Sequence, residues 1–101
     1  MPGMSYRSVF RPGLFAGQTI VVTGAGSGIG RCTAHELAAL GAHVVLIGRT
    51  VAKLDAVAAE IRADGGEASH HACDIRDEDA VKATVAAVMA ARGRILGLVN
   101  N

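Results

Sequence analysis

Residues 23–30 read TGAGSGIG, and no other stretch constrains the chain as much. The run QTIVVT (18–23) precedes it, with the continuous β-branched character of a strand buried on both faces. After it, Ile29, Thr33, Leu37 and Leu40 recur at helical spacing, and Gly41 is placed to end that helix. The glycines of this strand–turn–helix unit have separate uses. Gly24 supplies the freedom in φ that a tight exit from the strand requires. Gly28 suits close approach by a diphosphate, for which a Cβ leaves no room, and Gly30 suits packing of the helix start against the sheet. The N–H groups and dipole of the helix N-terminus then face the phosphates, with the Ser27 hydroxyl as a further donor and Ile29 beside them. No Gly-Lys-Ser/Thr follows, so the turn is not a P-loop.

Many α/β proteins use glycine merely to turn, so the surrounding order matters. HVVLIG (43–48) reads as a second strand. Val51, Leu54, Val57 and Ile61 mark the core face of a second helix, with Thr50 at its N-cap and Gly65-Gly66 as its stop. EASHHAC (67–73) is a more polar third strand, suited to an edge. Asp77 can cap a third helix over 77–92, with Glu78 and Asp79 in its first turn, Arg92 in its last, and Val81, Val85, Val88 and Met89 as its buried stripe. RILGLVN (94–100) is the fourth strand. The pattern βαβαβαβ has connections that fit helical crossovers, which predicts a right-handed, doubly wound parallel sheet of Rossmann type comprising its first four strands and three helices. Residues 1–17 carry Pro-Gly breaks and read as an irregular arm; 18–101 form the nucleotide-binding domain.

Composition removes several classes. A net charge of +1 points to neither a nucleic-acid surface nor an acidic partner. No apolar run reaches the ~18 residues of a membrane span, and the N-terminus lacks a continuous apolar signal core, so the expectation is a soluble, cytoplasmic chain. Cys32 and Cys73 have no CxxC spacing. The stretch HHAC (70–73) suggests metal, yet no second Cys/His cluster follows and strand alternation sends these side chains to opposite faces, so no metal site is expected.

Which dinucleotide the chain takes depends on the end of the second strand. An NAD site places there an acid that binds both ribose hydroxyls. Here the strand ends in Gly48 and Arg49; a guanidinium can bind a 2′-phosphate bidentately where an acid would repel it. Arg49 followed by Thr50 therefore favours NADP over NAD, against the alternative that Arg49 is a solvated residue ahead of a helix. Arg31 is a weaker helper. Asp74 stands at the C-terminal end of the third strand, where it can accept a bond from the adenine amine or simply cap the next helix. Asn100 and Asn101, at the end of the fourth strand, can pair with backbone groups or with the cofactor ribose.

Taken in order, TGAGSGIG, GRT, CDIRDEDAV and LVNN resemble the short-chain dehydrogenase/reductase family over residues 15–101. The resemblance matches Gly24, Gly28 and Gly30 to the family's glycine motif and Asp74 to its acid near the adenine, with Ile75 beside the ring. It matches Asn100 and Asn101 to the start of an Asn-Asn-Ala-Gly motif. It implies an oxidoreductase moving hydride between a nicotinamide dinucleotide and a carbonyl/alcohol pair or an enoyl thioester. The lead-in YRSVFRPGLFAGQTIVVTG is similar to that of enoyl-CoA and dienoyl-CoA reductases and of terpenoid-alcohol dehydrogenases, so acyl-CoA or a terpenoid alcohol or aldehyde is the implied small-molecule substrate. The family's order makes the fourth strand interior, and a sheet ending there would leave an apolar edge. A homo-oligomer, commonly a tetramer, is implied through the helix after the fourth strand and the next, to which 77–92 is taken to belong.

The family's Tyr, Lys and Ser chemistry is not carried over to any residue. Tyr6, the only tyrosine, has no Lys four residues later, and His35 and Glu36 are neighbours that point apart on a helix. The catalytic set within these residues is therefore none, and the chain reads as a cofactor-binding half. The rival reading is a non-catalytic dinucleotide-binding or regulatory module.

Overall fold

The computed structural model describes residues 13–26 and 28–99. Their elements are β1 (Thr19–Thr23), α1 (Gly28–Ala39), β2 (His43–Gly48), α2 (Val51–Ala63), β3 (Glu67–Ala72), α3 (Glu78–Arg92) and β4 (Gly97–Val99). The strands form one parallel sheet in the order β3-β2-β1-β4. Parallel neighbours require a crossover, and each helix supplies one. The chain winds outward from β1 to β3 and then returns to the far side of β1, so the strand order reverses at β1. In open α/β sheets that reversal opens a crevice beyond the carboxyl ends of the strands.

Side-chain alternation divides the core between the two faces of the sheet. Ile20, Val22, Val44 and Leu46 meet α1 and α2 through Ala34, Ala38, Leu54, Val57 and Ile61. Val21, Val45, Ile47 and Cys73 face the other way, against Val88 of α3. Every residue of β1 is buried, as its unbroken apolar run requires.

The helices depart from the expected stripes in a consistent way. α1 buries Gly30, Ala34 and Ala38, not Ile29, which is 77% exposed. Thr33 and Leu37 are half-buried, so the true inner face lies one residue further on and is made of small side chains. Small residues at i, i+4 and i+8 let the helix lie close on β1 and β2. Leu54, Val57 and Ile61 of α2 are buried as expected, whereas Val51, in its first turn, is exposed. In α3 only Val88 is buried; Val81 and Val85 are half-buried and Met89 is 48% exposed.

The ends are set by named groups. Asp77 Oδ1 accepts from the Ala80 N–H at 3.1 Å, closing the cap expected of it. Thr50 occupies the N-cap position of α2 but makes no side-chain capping bond. Gly41 (φ +97°) turns the chain out of α1 as expected. Residues 13–17 are irregular, yet they dock: the Phe15 N–H donates to the Leu40 carbonyl at 2.8 Å, and its side chain packs against the first core face.

Two further expectations need correction. Described β4 is Gly97–Val99, shorter than 94–100, and Leu98 on it is 63% exposed. The helix at 78–92 precedes β4, so it is not one of the two helices after the fourth strand to which the oligomer contact was assigned. Tyr6 and residues 1–12 lie outside the described residues, as do Ser27, Asn100 and Asn101. Among the described residues no helix is long and apolar enough to cross a membrane.

Candidate functional site

A pocket of about 350 Å³ opens beyond the carboxyl ends of the strands, lined by Gly24, Gly48, Arg49, Cys73, Asp74, Ile75 and Arg76. Three chain segments meet there because β1, β2 and β3 are adjacent and parallel. Main-chain bonds fix their exits: the Ala25 N–H donates to the Ile47 carbonyl at 3.3 Å, and the Cys73 N–H to the Gly48 carbonyl at 2.8 Å. A second hollow of about 280 Å³ lies at the opposite end of the sheet, where α1 and α2 finish, and holds none of the expected site residues.

The glycine turn has the backbone that its sequence suggested. Gly24 and Gly28 take φ of +63° and +61°, in the region where an L side chain is strained. A Cβ at Gly28 would meet nothing within 4 Å, so the surface beside it is open. At Gly30 the constraint is steric: a Cβ there would fall onto the Gly24 carbonyl oxygen and within 2.7 Å of its carbon. Gly30 thus lets α1 close onto the turn itself, where the sequence had suggested contact with the sheet. The N-terminal N–H groups of α1 consequently stand beside an open backbone surface.

The opposite wall carries charge. Arg49 is exposed, and its guanidinium forms no hydrogen bond or ion pair with the described residues. No carboxylate stands at the end of β2, where Gly48 lets Leu54 of α2 approach to 3.1 Å of the position a Cβ would take. Asp74 is held by Arg76. Its Oδ1 accepts from the Arg76 backbone N–H at 3.0 Å and from Nε at 3.1 Å, and its Oδ2 accepts from Nη2 at 3.0 Å. These bonds, with a smaller contribution from the Arg49 charge, hold the Asp74 carboxyl down at about 2. Ile75, between them in sequence, is exposed at the pocket rim and offers an apolar surface.

The fold therefore brings Gly24, Arg49, Asp74 and Ile75 together at one pocket, with Gly28, Ile29 and Gly30 in the first turn of α1. Three lining residues, Gly48, Cys73 and Arg76, were not foreseen as part of the site. Arg76 could have been found from its position two residues after Asp74, where an Asx-type turn brings i and i+2 together.

Arg31 is not at the pocket. Its Nε and Nη2 donate to Glu60 Oε1 at 2.9 Å and Oε2 at 2.7 Å, joining α1 to α2. His35 Nε2 lies 2.9 Å from the same Oε1, so the histidine expected to have no partner in Glu36 pairs with Glu60. The Arg31 and His35 bonds hold the Glu60 carboxyl down at about 2. Around HHAC, His70 Nε2 approaches Asp55 Oδ1 at 3.6 Å while Cys73 turns into the core. Among the described residues no three His, Cys, Asp or Glu come together as metal ligands.

A dinucleotide fits these groups in one respect that the geometry decides: the open surface at Gly28 admits a diphosphate that a side chain would obstruct. Comparison with known proteins points the same way. Residues 18–101 match the family model described as short chain dehydrogenase. The 2,5-dichloro-2,5-cyclohexadiene-1,4-diol dehydrogenase of Sphingobium indicum is 47% identical over 88 residues, covering 85% of this chain and 33% of that protein. Among solved structures, a citronellol catabolism dehydrogenase of Pseudomonas aeruginosa superposes with a TM-score of 0.93 at 70% identity, over 95% of this chain and 40% of that one. A metagenomic short-chain oxidoreductase in complex with NADP superposes with a TM-score of 0.84 at 54% identity, over 86% of this chain and 39% of that one. The chain thus spans about a third of the curated relative's length and about two-fifths of those solved chains.

Proposed function

The chain belongs to the short-chain dehydrogenase family, and on that premise we propose that it supplies the cofactor-binding half of an NADP(H)-dependent oxidoreductase. The observation that carries the cofactor choice is the exposed guanidinium of Arg49 at the end of β2, which has no hydrogen bond or ion pair among the described residues and no carboxylate beside it on that strand. A 2′-phosphate there gains a charge-assisted partner whose planar guanidinium can bind it bidentately, and no neighbouring anion on β2 repels it.

The remaining roles are those the family resemblance implies, and the pocket lining supports those of Gly24, Asp74 and Ile75. Gly24, Gly28 and Gly30 keep the backbone bare, so that the N-terminal N–H groups of α1 and the Ser27 hydroxyl receive the diphosphate, with Ile29 covering it from the exposed side. Asp74 accepts from the exocyclic amine of adenine and Ile75 lies along its ring. Asn100 and Asn101 follow β4 and serve the ribose next to the nicotinamide. When bound, the cofactor supplies or accepts hydride at C4 of its nicotinamide. The described residues bind and orient it; none of them is assigned the proton transfer that accompanies hydride movement.

For the substrate we take an acyclic terpenoid alcohol or aldehyde, in keeping with both the lead-in resemblance and the 70%-identical citronellol catabolism dehydrogenase, with an acyl-CoA, implied by the lead-in alone, as the second class. A cytoplasmic homo-oligomer, commonly a tetramer in this family, is the corresponding assembly. The test is hydride transfer by the purified full-length protein, followed by the near-ultraviolet absorbance of reduced nicotinamide. Citronellol with NADP, and separately an enoyl-CoA with NADPH, are the substrates to offer, each repeated with NAD(H). Faster turnover with the phosphorylated cofactor on either supports the reading; turnover with NAD(H) alone refutes the cofactor assignment, and none with either substrate refutes the substrate class.

A further inference from the structure

Arg76 has an unusual setting for a loop arginine. Its side chain is 76% exposed and lines the pocket, yet it is tied to Asp74 through the main chain and through two guanidinium nitrogens. The ionisable lining then holds two cations, Arg49 and Arg76, against one anion, Asp74. Without Arg76 the pocket would hold one of each, and the Asp74 carboxylate would oppose a 2′-phosphate.

The lone pairs sharpen the point. A carboxylate offers about four acceptor positions, and Arg76 occupies two on Oδ1 and one on Oδ2. A single position on Oδ2 remains, enough for one N–H of an adenine amine. Arg76 itself keeps three N–H donors unengaged by Asp74.

Building on the reading of this pocket as an adenosine site, we propose that Arg76 is a specificity-determining positioning residue. It holds Asp74 in one orientation for the adenine amine and neutralises it, so that the pocket stays net positive toward a 2′-phosphate. Arg49 recognises the phosphate; Arg76 keeps Asp74 from counteracting it. A purely structural arginine at the Asp74–Arg76 turn would affect both dinucleotides alike, whereas this role affects chiefly the phosphorylated one.

The experiment is a binding titration of the full-length protein with NADP and with NAD. It compares wild type with Arg76→Gln, Arg76→Lys and the double variant Arg76→Gln/Asp74→Asn. Arg76→Gln is expected to weaken NADP about tenfold and NAD less than about twofold, a size set by losing one screened charge near the phosphate. Arg76→Lys keeps the charge and most of the preference. The double variant recovers the preference for NADP, because the uncompensated carboxylate is gone. An unchanged NADP-to-NAD ratio in Arg76→Gln overturns the proposal, and so does a double variant that fails to recover. Should Arg76→Gln fail to fold, the double variant and Arg76→Lys still decide: loss of the preference in either one overturns the role. If wild type itself does not favour NADP, the cofactor assignment falls with it. If wild type favours NADP and Arg49→Asp reverses the preference while Arg76→Gln does not move it, only the role of Arg76 falls.

Discussion

At the β1–α1 turn the chain offers a ligand almost no side chain: Gly24 and Gly28 hold positive φ, and Gly30 admits the Gly24 carbonyl where a Cβ would stand. At the ends of β2 and β3 it offers little else, with Arg49, Asp74, Ile75 and Arg76 around the same pocket. Backbone N–H groups recognise a diphosphate whatever nucleotide carries it, so on the proposed function the turn would select the class of cofactor. Charged side chains respond to a single additional phosphate, so on the proposed function the β2–β3 wall would select within the class. Substitutions in the two regions should therefore fail differently.

Gly30→Ala carries the largest expected effect. Its Cβ meets main chain, which cannot rotate away, so about 3 kcal/mol of stability should be lost, read as a lower melting temperature, with NADP and NAD weakened in parallel. Arg49→Asp should leave the melting temperature nearly unchanged, weaken NADP about a hundredfold and make NAD the preferred ligand in titrations. Gly28→Ala lies between. The strain of a non-glycine residue at φ +61° costs about 1–2 kcal/mol, and the methyl intrudes on open surface, so both dinucleotides should weaken with their ratio intact.

Glu60→Gln gives the smallest effect and serves as a control on both regions. The Arg31–Glu60–His35 cluster joins α1 to α2 away from the pocket, and both main partners are substantially exposed, so the loss should be at most about 1 kcal/mol with no change in the cofactor ratio. The Glu60 carboxyl ordinarily titrates near 4.5 and is held down at about 2 in the fold. A depressed acid stabilises the fold above its ordinary value and loses that contribution as pH falls toward the lowered one. Wild type and Glu60→Gln should accordingly differ in melting temperature at neutral pH and converge between about pH 4.5 and 2.

The sequence made the two regions legible to different degrees. Element order, the parallel sheet and the glycine turn were all readable, because each follows from local patterns: β-branched runs, helical spacing and residues free of φ limits. Asp77 could be assigned as a cap for the same reason. The stripe of α1 was misread by one residue because Ile29 and Leu37 are more apolar than Gly30, Ala34 and Ala38, while close packing on a sheet favours the smaller set. Arg49 and Asp74 were visible from their places at strand ends. Arg76 was legible only through the i, i+2 spacing of an Asx-type turn, since its importance comes from the turn that wraps it around Asp74. Glu60 was not legible, since it meets Arg31 and His35 across two helices, 29 and 25 positions away in sequence.

On the proposed function, the wall at Arg49 reads a 2′-phosphate independently of the rest of the cofactor. Adenosine 2′,5′-bisphosphate and adenosine 5′-monophosphate differ only in that group, so their dissociation constants for the wild-type protein, by calorimetric titration, isolate it. The bisphosphate should bind at least about tenfold more tightly, in keeping with a charge-assisted contact to one guanidinium. Equal affinities, or tighter binding of the monophosphate, would contradict the account.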